Sequence, residues 1–279
     1  MSIKGRILKD KLLRILVMFL SLFTLFPLFF ILFTIIKNGI SAINLEFFTN
    51  LPKPAGEEGG GILNSILGTL LLIVIAFLIA APFGIVVGIF LAEVQNKFTK
   101  VLKILVNVLQ GVPSIVIGII GYLLVVKPMG GFSALSGGVA LALMMLPVVI
   151  KNTEETLKLV PLHLKEASFS LGANYTRTML KVILPSAING VISGIVLGIS
   201  RISGETAPLL FTAFGNPFLN INPLKPVDAL PLLIFNYAMS PYEDWHRIAW
   251  GASFVLIVMV FFLNLITKLV EGKRWKTLY

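Results

Sequence analysis

Six long apolar segments dominate the sequence, and its polar residues fall mainly between them. A helix needs about 20 mostly apolar residues to cross about 30 Å of hydrocarbon, and the six segments are near or above that length. We therefore predict an all-α polytopic membrane protein with six transmembrane helices. The predicted spans cover residues 12–36, 62–91, 101–126, 134–150, 187–207 and 249–269.

Composition supports this class and excludes several others. The 279 residues are 57% apolar and 13% charged, whereas a soluble domain has about 45–50% apolar and about 25% charged residues. The net charge of +10 would fit a nucleic-acid partner, but a soluble protein cannot leave so much apolar surface in water, so no nucleic acid is expected. The chain has no cysteine and two histidines, which excludes disulfides and thiol catalysis and leaves no metal site to expect.

The distribution of Lys and Arg predicts the orientation in the membrane. Cytoplasmic loops carry an excess of these residues. Of the 23, 17 lie in the N-terminal segment, the 92–103 and 151–186 loops and the C-terminal segment. Five lie in the opposite loops, and Arg201 lies inside a span. We expect both termini in the cytoplasm, with the first span retained because it is too long for the apolar region of a signal peptide.

The predicted spans divide the chain into three parts. Residues 1–60 hold the N-terminal segment, the first span and an external loop, 61–271 form a helical domain with the other five spans, and 272–279 form a cytoplasmic tail. Within the long external segment 208–248, the apolar stretch 229–238 is too short to cross a membrane. We predict that it is re-entrant, interfacial or packed on the outer mouth of the bundle.

Prolines and glycines inside the spans predict local geometry. Prolines in the second, third and fourth spans each remove a helix hydrogen bond and favour a kink; they are Pro82, Pro113 and Pro147. The fifth span carries glycines at i, i+4 and i+8, a stripe that lets a neighbouring helix backbone approach closely and predicts a packing seam. The stripe consists of Gly190, Gly194 and Gly198.

The predicted cytoplasmic loop 151–186 contains a motif at fixed spacing. Glu166-Ala167-Ser168 is followed by Gly172 and then by the run 182–185 (VILP), which includes Leu184 and Pro185. Gly172 offers the backbone freedom to turn between two short helices, and Pro185 suits the first turn of the fifth span. These features predict an amphipathic helical hairpin that a soluble partner could engage.

This spacing resembles the EAA signature of ABC importer permeases, with Ser168 and Val182 as mild departures. The resemblance implies that Glu166, Ala167 and Gly172 contact a partner ATPase, and that Leu184 and Pro185 complete the coupling motif. The chain has no G-x-x-x-x-G-K-[ST] phosphate-binding motif, so we expect no enzymatic activity of its own.

Further segments resemble the PstA-type permeases of phosphate ABC importers from about residue 60 to the C-terminus. The matching segments are 113–117 (PSIVI), 153–161 (TEETLKLVP), 201–213 (RISGETAPLLFTA) and 236–245 (NYAMSPYEDW). The resemblance implies a type I (MetI-like) fold with a five-helix core in a bacterial or archaeal cell membrane. It also implies a sister permease subunit (PstC-like), an ATPase dimer (PstB-like) that binds the ATP and Mg, and an external phosphate-binding protein (PstS-like) that delivers inorganic phosphate.

Arg201 and Glu205 are the candidate substrate residues. A charge near the middle of a bilayer costs about 2.5–3.5 kcal/mol on insertion scales, so such residues are rarely retained without a role. On a continuous helix the two would share a face at i, i+4. Arg201 could then offer a planar fork to an oxyanion while Glu205 orients it. Hydroxyl groups nearby could add donors, namely those of Ser200, Ser203 and Thr206.

Several alternatives stay open at this point. Arg201 and Glu205 could simply neutralise each other, or Glu205 could reach the membrane interface. The solute could be sulfate, molybdate or another oxyanion, since a guanidinium suits all of them. An ion-coupled secondary carrier is a further alternative, against which the 151–186 loop argues, and no ring-forming charge pattern favours a channel.

Overall fold

The computed structural model describes residues 3–57 and 59–275. Four residues of the predicted tail, 276–279, lie outside this part of the chain. Within it we find helices and no extended strand, only an isolated β-bridge between Phe214 and Val227. The helices are α1 (Ile3–Ile40), α2 (Leu45–Thr49), α3 (Leu63–Glu93), α4 (Lys97–Gly111), α5 (Ser114–Met129), α6 (Ala134–Lys158), α7 (Leu162–Ser170), α8 (Tyr175–Ile202), α9 (Ala207–Leu210), α10 (Leu230–Ala238) and α11 (Glu243–Trp275).

The predicted all-α polytopic fold is confirmed, with one correction to its spans. In the described part of the chain, five helices are long and apolar enough to cross a membrane, and the pair α4 and α5 makes a sixth candidate. The predicted span over 101–126 is not one continuous helix, because α4 and α5 meet at 106°. Pro113 offers no N–H to continue the helix and forces Val112 into an extended conformation (φ −67°, ψ 130°), so the chain breaks there rather than bending gently.

The fourth and fifth spans also differ from their predicted bounds. The fourth was expected to end at residue 150, but α6 continues to Lys158. The fifth was expected over 187–207, whereas α8 starts at Tyr175 and ends at Ile202. Charged residues such as Lys and Glu are good helix formers, so a helix continues beyond the apolar segment that sequence reasoning detects. The hairpin between the two spans is therefore much shorter than 151–186.

Pro185 lies inside the continuous helix α8 and not at its start, which corrects its predicted place. Directly before it, Met179–Ile183 forms a π-helical turn in which the N–H of Leu184 bonds to the carbonyl of Met179. A π turn of this kind accommodates a local mismatch in the hydrogen-bond ladder without ending the helix. The proline thus changes the pitch of α8 while the helix runs on.

Helix α6 is the centre of the bundle. Its apolar window is 72% buried, against 33% for α3 and 28% for α8. Helices α3 and α8 pack on it, and small residues allow a close approach on both sides. At the contact with α3, a Cβ added to Gly84 would lie 2.7 Å from Val149 Cγ1 of α6. A Cβ added to Gly88 would lie 2.5 Å from Thr153 Cβ.

The glycine stripe of α8 forms the contact between α8 and α6. A Cβ at each of its glycines would meet α6 side-chain atoms far inside van der Waals contact, so any residue larger than glycine would force the two helices apart. The distances are 2.3 Å from Gly190 to Thr156 Cγ2, 2.4 Å from Gly194 to Asn152 Cβ and 2.8 Å from Gly198 to Met145 Cγ.

The end of the bundle opposite to α7, here called the distal end, is closed by residues 203–242. The stretch predicted to be re-entrant or packed on the mouth forms α10, whose Leu230, Leu232 and Leu233 are buried. The Ser65 hydroxyl of α3 donates to Asp228 Oδ2 (2.5 Å), and the backbone N–H of Leu230 donates to Thr69 Oγ1 (2.8 Å). These bonds attach the distal segment to the first turns of α3.

Helix α1 lies largely apart from the core. None of its apolar window is buried within the chain, and it packs on α11, where a Cβ at Gly39 would lie 2.6 Å from Phe254 Cβ. The long apolar segment of α1, with this much exposed surface, is suited to lipid or to another membrane subunit.

The stripe predicts an unequal response to one substitution at two glycines. We expect Gly194→Ala to lower the free energy of unfolding by about 1–3 kcal/mol, because its methyl group overlaps Asn152. The matched control is Gly111→Ala, where an added Cβ has nothing within 4 Å, and we expect it to be neutral or slightly stabilising. Denaturant unfolding of the purified chain in detergent measures both, and equal effects would contradict the seam.

Asp228 predicts a pH dependence of stability. Burial raises the pKa of its carboxyl group to about 6. The hydrogen bonds from Ser65 and the Ala229 backbone lower the pKa, but by less than burial raises it. Because the folded pKa lies above the unfolded value of about 3.9, this residue's stabilising contribution is full below pH 4 and is lost as the pH rises through 6. The loss should be on the order of 2–3 kcal/mol.

The Asp228→Asn variant isolates this contribution, since its neutral amide does not titrate. We expect the difference in melting temperature between variant and wild type to grow in the variant's favour as the pH rises from 4.5, most steeply near about pH 5, midway between the unfolded and folded pKa values, and to level off above about pH 7. Groups elsewhere titrate in both proteins and cancel. Melting curves that shift in parallel across this range would show that Asp228 does not carry the effect.

Candidate functional site

The short helix α7 carries the motif residues of the predicted coupling loop. It ends in a turn at Gly172, whose φ of +77° lies in the left-handed region that favours glycine. The N–H of Gly172 bonds to the carbonyl of Phe169 (2.9 Å), and that of Ala173 bonds to the carbonyl of Ser168 (3.2 Å). The chain thus turns from α7 into α8 at the predicted glycine, which closes the last carbonyls of the helix.

Helix α7 presents an exposed face. Glu166 and Ala167 are exposed, and the large apolar side chains of Leu162 and Phe169 are 66% and 42% accessible to solvent. Exposed apolar side chains clustered on one short helix outside the membrane are typical of a protein–protein contact. Leu184 and Pro185 lie apart from this face, on α8 directly after the π turn.

Ser168, the departure from the EAA pattern, has a structural role that the sequence did not reveal. Its side chain is buried, and its hydroxyl lies 2.8 Å from the hydroxyl of Thr178 in the first turn of α8. An alanine would lack this bond. The hydroxyl pair therefore joins α7 to the helix that follows it.

Three ion pairs lie at this end of the bundle, and sequence reasoning predicted none of them. Glu154 of α6 binds Lys103 of α4 (2.7 Å) and Lys158 (2.5 Å), and Glu93 at the end of α3 binds Lys165 of α7. The spacing of Glu154 and Lys158 was visible as an i, i+4 pair. The other two pairs join residues distant in sequence, for which a single sequence carries no signal.

The predicted substrate residues are not gathered as expected. Arg201 lies in the last turn of α8 with an exposed side chain, but the helix ends at Ile202, and the N–H of Glu205 bonds to the Ile202 carbonyl (3.2 Å). The prediction that Arg201 and Glu205 share a helical face was therefore wrong. Among the ion pairs found in the described residues, none joins these two side chains.

The three hydroxyl groups point to different surroundings. Ser200 donates to Asn264 Oδ1 of α11 (3.1 Å), and the buried Ser203 donates to the Ile199 carbonyl (2.7 Å). Thr206 lines a cavity of about 470 Å³ between α1, α10 and α11. Of the five predicted substrate residues, Arg201 is the one whose side chain is exposed. Its guanidinium lies near the distal end of α8, and we find no bond from it to the described residues of this chain.

No metal site is evident in the part of the chain that the structure covers, since no three His, Asp or Glu side chains meet there. The features available for function are therefore the exposed motif helix α7 at one end and the exposed guanidinium of Arg201 toward the other. One is suited to a protein partner and the other to an anion.

Comparison with known proteins identifies the family. Residues 84–275 match the family model described as binding-protein-dependent transport system inner membrane component. The chain belongs to this family of transport permeases. The predicted resemblance to ABC importer permeases is thereby confirmed, as is the expectation of a membrane subunit.

Curated relatives cover most of the chain. It is 40% identical to the phosphate transport system permease protein PstA of Yersinia pestis over 268 residues, which span 95% of this chain and 91% of that protein. It is 38% identical to the probable phosphate transport system permease protein PstA of Methanocaldococcus jannaschii over 256 residues, 91% and 90% of the two chains.

Solved structures confirm the predicted type I importer fold. A permease of a bacterial alginate ABC transporter, solved in complex with an alginate pentasaccharide-bound periplasmic protein, matches with a TM-score of 0.69 at 14% identity, over 96% of this chain and 98% of that one. A chain of the inward-facing MetNI methionine ABC transporter matches with a TM-score of 0.62 at 17% identity, over 76% and 96%. At these identities the likeness concerns the fold alone.

Proposed function

We propose that this permease is the membrane-spanning subunit of an ATP-driven importer of inorganic phosphate. It would form the translocation path with a sister permease subunit and couple to a cytoplasmic ATPase dimer, which binds the ATP and Mg. An external phosphate-binding protein would deliver the solute. The observation that carries the coupling part of the proposal is α7, an exposed motif-bearing helix at one end of a membrane bundle.

Coupling through α7 follows from its exposure and its attachments. Its outward face offers Glu166, Ala167 and neighbouring apolar side chains, while its inward face is joined to α3 and α8 by side-chain bonds. A soluble partner that binds the outward face and moves α7 can therefore displace the ends of α3 and α8. A carrier without an ATPase would have no need of such a helix, which argues against the secondary-carrier alternative.

The proposed orientation places α7 and both termini in the cytoplasm. The α7 end of the bundle carries the lysines of α4, α6 and α7 along with the 151–186 segment. An excess of basic residues on short loops marks the cytoplasmic side. The distal end, with Asp228 and α10, would then face the external binding protein.

Arg201 supports the choice of an anionic solute. Its guanidinium is exposed in the last turn of α8, and the planar fork of a guanidinium suits the oxygens of a tetrahedral oxyanion. Glu205 nearby would keep the anion from binding too tightly for release. The guanidinium suits sulfate or molybdate equally, and the relatives named as phosphate permeases favour phosphate.

Substitution of Arg201 tests the proposed path. We expect Arg201→Ala to lower phosphate uptake by about 10- to 100-fold, the equivalent of one or two charge-assisted hydrogen bonds, with Arg201→Lys intermediate. Uptake of labelled phosphate by proteoliposomes holding the complete transporter measures the effect. The matched control is Arg177→Ala, an exposed arginine in the first turn of α8. Wild-type uptake by Arg201→Ala at normal membrane abundance would remove Arg201 from the path.

Gly172 tests the proposed coupling. Valine at a φ of +77° costs about 1–2 kcal/mol or more and would shift α7 relative to α8. We expect Gly172→Val to assemble but to hydrolyse ATP with little phosphate uptake. Asparagine tolerates this backbone conformation, so Gly172→Asn should remain coupled. Since an added Cβ meets nothing within 4 Å, equal behaviour of the two variants would show that backbone conformation is not what matters.

A further inference from the structure

Lys165 of α7 joins three helices through polar contacts. Its ammonium group pairs with Glu93 in the last turn of α3. The same ammonium lies 5.7 Å from the ring centre of Tyr175, the first residue of α8, and the charge of Glu93 raises the pKa of the Tyr175 hydroxyl, after the larger effect of burial. One carboxylate, one cation and one aromatic ring thus connect α7 to the ends of two membrane-spanning helices.

The pair is sheltered from water. The side chains of Lys165 and Glu93 are only 24% and 17% exposed, so their attraction is screened less than that of a surface pair. The nearby tyrosine ring adds a cation–π contribution. By comparison, Arg14 and Asp10 of α1 form a pair whose side chains are 77% and 60% exposed, where the gain is small.

Beside the pair lies a cavity of about 400 Å³. It separates α7 from the ends of α3 and α6, and its lining includes Ala92 and Leu157 together with the two charged residues. The apolar packing at this point lies in a cluster of Leu157, Met179, Ile183 and Ala187, which contains no residue of α7. The coupling helix is held to α3 across open space, and the polar contacts are what hold it.

We propose that Glu93, Lys165 and Tyr175 form a positioning clamp that transmits movement of α7 to α3 and α8 together. The proposal rests on the proposed function, in which α7 contacts the ATPase. Helices α3 and α8 both pack on α6, where Val149 contacts each of them, so a clamp on both of their ends moves the two helices together. The adjoining cavity provides the space in which α7 shifts.

The clamp also sets the rotation of α7 about its axis. Successive residues on a helix are about 100° apart, so holding Lys165 inward turns Glu166 and Ala167 outward, as observed. The other side-chain bond that holds α7 is that of Ser168 to Thr178, so breaking the clamp leaves this helix of nine residues with a single side-chain attachment and a looser rotation. Loss of the clamp should therefore misdirect the docking face while leaving the membrane bundle folded.

Charge reversal in the complete reconstituted transporter tests the clamp. We expect Glu93→Lys and Lys165→Glu each to lower the phosphate imported per ATP hydrolysed by about tenfold, because each leaves two like charges in a sheltered site. The double swap restores an opposite pair and should recover the ratio to within about threefold of wild type. The control is Lys181→Glu, an exposed lysine in the π turn, which should leave the ratio unchanged.

A milder variant covers the case in which a single reversal prevents assembly. Tyr175→Phe removes only the hydroxyl group, which interacts with Glu93, and should lower the ratio by about two- to threefold. An unchanged ratio in Tyr175→Phe, or a double swap no better than either single variant, would overturn the clamp. Uptake by wild type with unchanged ratios in all variants contradicts the clamp alone, whereas a wild-type complex that imports no phosphate contradicts the proposed function and the clamp together.

Discussion

The close contact of α6 with α3 and α8 is the constraint on which the rest of the structure depends. In a bilayer the surrounding lipid is as apolar as the side chains, so helices associate through dispersion contacts rather than by escaping water. Glycines at the contact, such as Gly84 on one side and Gly194 on the other, bring the backbones together over several turns. The positions of these three helices then fix where α7 leaves the bundle at one end and where the distal segment closes it at the other.

At the α7 end and the distal end of the bundle, polar side-chain contacts add to the apolar packing. There the contacts are polar and specific, as in Glu154 with Lys103 or Ser65 with Asp228. Such bonds can break and re-form with water in a way that interlocked backbones cannot. A bundle with a close-packed middle and polar joints at its ends moves as a stiff unit whose ends adjust, which suits a subunit that must pass a displacement from one side of the membrane to the other.

Hydropathy predicted the helical class and most spans, because the length of an apolar segment is a direct consequence of bilayer thickness. It could not predict the break at Pro113, since a proline in an apolar segment looks the same whether the helix bends or stops. The end of α8 was readable in principle, because Gly204 follows Ile202 and Pro208 lies just beyond, which is a common helix-stop pattern. The bond between Ser168 and Thr178 had no sequence signal, since it depends on how α7 folds back on α8.

The basic residues behind the net charge of +10 differ in role as well as in the side of the membrane predicted for them. Lys103 and Lys165 form partly buried ion pairs with carboxylates of other helices, so they join one helix to another. Exposed lysines such as Lys181 remain to set orientation through the basic bias of the loops. Arg201 belongs to neither group, because it lies at the other end of α8 with its side chain exposed. In the proposed importer, the transported anion would be the counterpart of this charge, and it would not fix the guanidinium permanently.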